Sequence, residues 1–158
     1  MIENSLLYKT VFNYMKIVRA KLKDVSEINK LNKKYFKEIR DFKKIIENPD
    51  DYFYIGIKDD KIIGFSGFHY HCWNNSASII DIFIHPNFRN QGYGNFFIKK
   101  IIQEAKKTKA RTIIAEAPSL NAVLPVYLKN DFRICGFNDR YYSNSGQEIA
   151  IFLARDLK

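Results

Sequence analysis

Two short stretches of this chain carry residue types whose spacing could do chemistry: the turn Arg89-Asn90-Gln91-Gly92-Tyr93-Gly94 and the run His69-Tyr70-His71-Cys72. The turn follows a β-rich run ending at Ile84 and opens an amphipathic segment. Its backbone N–H groups are therefore the unsatisfied donors of a helix start, a natural seat for an anion. Gly92 and Gly94 let a phosphate approach the backbone with no Cβ in the way, and Arg89 can add charge-assisted hydrogen bonds. That is the chemistry of a pyrophosphate cradle. Phe97 stands where a third glycine would complete G-x-G-x-x-G, and no Gly-Lys-Ser/Thr closes a Walker loop, which argues against dinucleotide and nucleoside-triphosphate enzymes. His69 and His71, two apart, share a strand face. With no carboxylate or third histidine at a convincing spacing nearby, they read as a strand-end pair lining a substrate pocket rather than as metal ligands, and no metal is expected.

The elements that must position these residues follow from periodicity. Lys16 to Ala20 is an early strand. Asp24 is the expected N-cap of a helix carrying Val25, Ile28 and Leu31, and a second amphipathic helix is expected from about Tyr35 to Ile46, with Phe36, Ile39, Phe42, Ile45 and Ile46 on one face and Asn48-Pro49-Asp50 as its stop. Tyr52 to Lys58 and Lys61 to Tyr70 read as a hairpin around Asp59-Asp60, and Ser76 to Ile84 as the third strand of an antiparallel meander. Gly92 opens a long helix to about Lys107, and Arg111 to Ala117 is a buried strand. A short loop after that helix places the strand parallel to the one ending at Ile84, in a right-handed crossover. Asn121 to Asn130 is a short helix interrupted early by Pro125, and Phe132 to Tyr142 with Gln147 to Arg155 form a closing strand pair around Asn144-Ser145-Gly146. The fold class is α/β, more fully a mixed α+β sheet: mostly antiparallel strands, one central parallel pair, helices on both faces.

Composition bounds the rest. A chain of 158 residues with 46% hydrophobic content fills one core, so one domain is expected at residues 15–158, with residues 1–14 as an N-terminal extension and Met15 as a candidate initiator. No apolar run reaches the ~18 residues of a spanning helix, and two cysteines are too few for a disulfide framework. A cytoplasmic setting is expected. The net charge of +9 favours some polyanionic partner, including the phosphates of a nucleotide cofactor, without choosing among them.

The run Ile82-Phe83-Ile84-His85-Pro86-Asn87-Phe88-Arg89-Asn90-Gln91-Gly92-Tyr93-Gly94 resembles the acetyl-CoA-binding motif of the GNAT N-acetyltransferase superfamily, R/Q-x-x-G-x-G/A between a strand and a helix, and the element order from about Lys16 onward is similar to that fold. Farther on, Glu116, Asn121, Tyr127, Phe132, Gly136, Tyr142-Ser143-Asn144 and Glu148 to Phe152 are similar to the C-terminal region of streptothricin acetyltransferases. Pro125 and a one-residue shortening between Asn121 and Tyr127 depart from that pattern, and the N-terminal third has no match to it.

The resemblance implies acetyl-CoA as co-substrate, with backbone groups at Phe83 and Ile84 on the pantetheine arm, Arg89, Asn90, Gln91, Gly92, Tyr93 and Gly94 on the pyrophosphate, and Asn121 as a further cofactor contact. It places Tyr127 beside the CoA sulfur, where a phenol of pKa about 10 stays protonated and can act as general acid toward a departing thiolate. The acceptor, a primary amine of a small molecule or a protein, must lose a proton, and Glu116 and Asp81 are the candidate bases. Substrate-ammonium recognition or a structural hydrogen bond is an equal reading of either carboxylate. A membrane or nucleic-acid partner is not expected; a homodimer is left open. The competing expectation is a non-catalytic CoA-binding or nucleic-acid-associated module with the same fold.

Overall fold

The structure is a computed structural model that describes residues 15–36 and 39–158. The proposed extension at residues 1–14, and with it the question of the initiator, lies outside the described residues. Strands β1 (Lys16–Arg19), β2 (Asp51–Lys58), β3 (Lys61–His71), β4 (Ser76–Ile84), β5 (Thr112–Pro118), β6 (Arg133–Asn138) and β7 (Ala150–Asp156) form one sheet in the order β1-β2-β3-β4-β5-β7-β6. The β4–β5 pair is parallel and every other pair is antiparallel, as the element order predicts. Asp59 and Asp60 both take positive φ, at 49° and 59°, the geometry of a two-residue hairpin turn whose twist matches its strands.

Among the described residues four α-helices accompany the sheet: α1 (Val25–Tyr35), α2 (Phe42–Glu47), α3 (Tyr93–Ala105) and α4 (Val123–Lys129). On one face α3 and α4 bury Phe97, Ile98, Ile101 and Tyr127 against Phe68, Ala77, Ile113 and Leu153. On the other, α1 and α2 bury Ile28 and Phe42 against an aromatic cluster of Phe53, Phe65 and Phe83. This second layer stops at β4, so no helix covers the outer face of the β5-β7-β6 portion, where Ile114 is exposed.

Several expectations are corrected or refined. The second helix spans only Phe42–Glu47: Tyr35 ends α1, Ile39 is fully exposed, and Asp41 caps the shorter helix by accepting from the Lys44 N–H at 3.0 Å. A good N-cap outweighs an apolar period that continues through the link. Asp24 holds the N-cap position of α1, as expected, but its side chain makes no bond to that helix; its carboxylate accepts from the Lys21 N–H at 2.8 Å in a 3-10 turn, Leu22–Asp24, that leads into the helix. Pro125 does not interrupt α4, because it is the third residue of that helix, where an N–H would have no intrahelical partner. The closing strands are also shorter than the apolar pattern suggests, and residues 139–149 form the loop between them.

Candidate active site

The site is a place where the sheet comes apart. β4 and β5 pair only through Ser76↔Thr112, Ala77↔Ile113 and Ser78↔Ile114, although β4 continues to Ile84 and β5 to Pro118. Beyond Ser78 the edge of β4 that faces β5 has no strand against it, so the backbone around Phe83 and Ile84 can pair with an extended ligand arm lying in the gap. Arg89 folds back across this edge, its Nε donating to the Ile84 carbonyl at 3.0 Å. A cleft of about 320 Å³ lies where the parting begins, lined by Ser78 and Ile79 from β4, Ile114 and Glu116 from β5, and Cys135, Phe152 and Leu153 from the closing strands.

The turn expected to seat an anion does open α3. Gly92 caps the helix at φ 84°, a left-handed conformation suited to glycine, and Asn90 precedes it at φ 59°. A Cβ placed on Gly92 or on Gly94 would meet nothing within 4 Å, so both glycines border open space rather than packing against the fold. Gln91 donates to the Asn87 carbonyl at 3.2 Å, which ties the turn to the strand end. The Tyr93 ring is buried, and its hydroxyl accepts from Lys58 Nζ at 3.1 Å. The residues present fit the pyrophosphate of acetyl-CoA: free N–H donors, no obstructing side chain, and an arginine alongside.

Tyr127 and Asp81 stand on either side of the parting. Tyr127 lies on the α3–α4 face, 2% exposed, its ring 5.2 Å from Phe132. Burial pushes its pKa up strongly, and the Asp81 carboxylate adds to the rise. Asp81 belongs to the opposite face. A bulge shifts the β3–β4 register so that Gly67 pairs with Asp81 and Phe68 with Ile79; a Cβ on Gly67 would point into Phe53, on the α1–α2 side. There Asp81 forms an ion pair with Arg40 from the link between α1 and α2, Nε to Oδ2 at 2.9 Å.

Glu116 is exposed on the same open face and accepts from the Tyr142 hydroxyl at 2.6 Å. Burial, and next the bond to Glu116, hold the Tyr142 pKa well above the usual phenol value. Asn121 is exposed, and its side-chain oxygen accepts from the Val123 N–H at 2.9 Å, which fixes the entry to α4. The histidine pair joins a polar chain: His69 Nδ1 contacts Asp51 Oδ1 at 2.5 Å, the two imidazoles lie 4.5 Å apart, and His71 Nε2 bonds Ser78 Oγ at 2.8 Å. Ser78 is also in the cleft wall. Among the described residues no group of three or more His, Cys, Asp or Glu could hold a metal ion.

Sequence reasoning thus picked out the glycine turn that opens α3 and the residues on both sides of the gap. It did not identify Arg40, which no periodic pattern marks, and it met Tyr142 only as part of the C-terminal resemblance.

Comparison with known proteins agrees with this geometry. Over 113 residues, 70% of this chain and 72% of the relative, the sequence is 25% identical to the putative [ribosomal protein bS18]-alanine N-acetyltransferase of Bacillus subtilis. Over 83 residues, 51% of this chain and 48% of the relative, it is 32% identical to streptothricin acetyltransferase A of the same organism. The fold matches the ribosomal-protein-S18-alanine N-acetyltransferase of Escherichia coli with a TM-score of 0.78 at 18% identity, covering 91% of this chain and 94% of that one. It matches a putative streptothricin acetyltransferase from Bacillus anthracis, solved in complex with acetyl coenzyme A, with a TM-score of 0.74 at 23% identity, covering 90% and 97%. The family model described as Acetyltransferase (GNAT) family spans residues 21–132, from the turn before α1 through the strand parting and the whole of α4, and the chain belongs to that family of enzymes.

Proposed function

We propose that the chain transfers the acetyl group of acetyl-CoA directly to a primary amine, with the donor on the α3 side of the gap and the acceptor entering from the α1–α2 side. The observation that carries this reading is the parting itself. It opens in front of a glycine turn bordered by empty space, and Tyr127 and Asp81 lie within electrostatic reach across it. Acetyl-CoA supplies a thioester whose acyl carbon takes the amine lone pair, the N–C bond forming as the C–S bond breaks.

Arg89 to Gly94 hold the pyrophosphate, the β4 edge at Phe83 and Ile84 that no strand covers holds the pantetheine arm, its N–H groups polarising the acyl oxygen, and Asn121 lies along the cofactor's path at the entry to α4. Glu116, water-exposed at the cleft and held by the neutral Tyr142 hydroxyl, takes the amine proton through solvent. Asp81, already matched to one cation, anchors the acceptor's ammonium group. Tyr127 stays neutral across the working pH range and donates a hydrogen bond to the departing sulfur. Complete proton transfer to a thiolate whose conjugate acid lies near pKa 8.5 is uphill from a phenol raised above about 10, so solvent completes the protonation.

Family membership supports this enzyme over a non-catalytic module of the same fold. The domain is taken as residues 15–158 and its setting as cytoplasmic. Exposed, unpaired Cys72 and Cys135 suit such a setting, and no described helix is long and apolar enough to cross a membrane. The test is release of free CoA thiol from acetyl-CoA in the presence of an amine panel that includes an Ala-terminated peptide, streptothricin and simple polyamines. Turnover with at least one amine supports the reading. No turnover with any amine, alongside intact acetyl-CoA binding, rejects it.

A further inference from the structure

We propose that Arg40 is the chain's own stand-in for the acceptor: its guanidinium occupies the place on Asp81 where the acceptor's ammonium group docks, so acceptor binding exchanges one cation for another. This deepens the reading above and rests on it only in taking Asp81 as the acceptor-side anchor.

Three observations place Arg40 in that role. The β4 bulge turns Asp81 toward the α1–α2 side, at the point where its charge also reaches Tyr127, so a cation on this carboxylate sits beside the reacting centre. The two partners differ in exposure: the Asp81 side chain is 15% exposed and that of Arg40 is 34%, so the carboxylate is fixed while the guanidinium stands at the solvent edge. Arg40 also has somewhere to go. It rims a groove of about 910 Å³ between α1 and α2, whose lining includes the amide of Asn29, whose oxygen can accept a hydrogen bond from a displaced guanidinium. An ammonium and a guanidinium compete for one carboxylate through charge, whereas an uncharged acceptor cannot displace the arginine. The geometry therefore selects acceptors that arrive protonated and lose their proton only after docking, and it disfavours neutral amines and anionic acceptors.

The experiment uses binding, so its outcome is separable from whether the chain turns over. n-Butylammonium is titrated by NMR into the full chain and into Arg40→Ala, with Asp81→Asn as the reference for loss of the anchor. Removing a half-exposed ion-pair competitor should tighten binding about 5-fold. Millimolar methylguanidinium, the missing end of the side chain, should reverse that gain competitively in Arg40→Ala and have little effect on the unaltered chain, and Asp81→Asn should abolish the butylammonium site. Arg40→Gln, which keeps most of the bulk and loses the charge, carries the same expectation should Arg40→Ala fold poorly. Unchanged or weaker butylammonium binding in the Arg40 variants, or no response to methylguanidinium, overturns the proposal and identifies the pair as a structural pin on the α1–α2 link. Absence of CoA release in the amine panel would instead count against the acetyl-transfer reading and leave this binding result standing.

Discussion

Replacing Tyr127 by Phe removes one oxygen from the centre of the account. The two consequences should have opposite signs. In the folded chain the hydroxyl has no hydrogen-bond partner among the described residues, and the residue is 2% exposed within the α3–α4 core. Deleting a buried polar atom that makes no internal bond relieves desolvation and keeps the ring's packing on Phe132, so stability should hold or rise, by at most about 1 kcal/mol. Activity should fall. Loss of one preorganised donor to developing charge in a closed site costs roughly 10²- to 10³-fold in kcat, or about 2.7–4 kcal/mol of transition-state stabilisation. The loss should appear in kcat with the acetyl-CoA KM little changed, because the bond to sulfur strengthens as charge develops there. Thermal denaturation and steady-state thiol release on the same preparation give both signs. Turnover within about 3-fold of the unaltered chain, or a drop in stability of several kcal/mol, would show that the hydroxyl is a structural group and not the sulfur's partner.

Other perturbations separate the remaining parts. Gly94→Ala meets open space in the free chain and adds a better helix former to α3, so stability should rise by up to about 0.5 kcal/mol in a melt while the acetyl-CoA KM rises at least about 10-fold, since the new Cβ stands in the phosphate seat. Phe65→Ala opens the aromatic cluster shared by Phe42, Phe53 and Phe83 and should cost about 3–5 kcal/mol by denaturant titration. Burial, then the neighbouring His69, depress the His71 pKa below 6.5 despite the opposing pull of Asp51. The unfolded chain therefore binds this proton first, and stability should fall as pH drops through the window just below 6.5; His71→Gln should flatten that part of the stability-against-pH curve. Tyr142→Phe withdraws the donor from Glu116 and should lower kcat while leaving acetyl-CoA binding intact, read by thiol release and by calorimetry.

The sequence made legible those features that short-range chemistry encodes. A strand, a glycine turn and a helix start are local, so the glycine-capped start of α3 could be read directly, and the parallel β4–β5 pair followed from the crossover between them. The link between α1 and α2 was not readable in the same way. Phe36, Ile39 and Phe42 keep helical spacing, yet the Asp41 cap ends the register and leaves Ile39 in solvent. The parting of β4 from β5 was also hidden, because a buried run such as Ile79 to Ile84 reads identically whether or not a neighbour pairs with it. Arg40 and Asp81 meet only through tertiary packing, and Tyr142 reaches Glu116 from a loop, so neither contact leaves a periodic trace. That no helix covers the outer face of β5-β7-β6 likewise follows from where α1 and α2 stop and not from any strand's own composition.

The gap between β4 and β5 is the centre of this account, and amide hydrogen exchange with and without acetyl-CoA tests it most directly. Binding should slow exchange at Phe83, Ile84 and the amides from Asn90 to Gly94, and leave β1 at the far edge of the sheet unchanged. Protection centred elsewhere, or none at saturating acetyl-CoA, would contradict the assignment of the donor site.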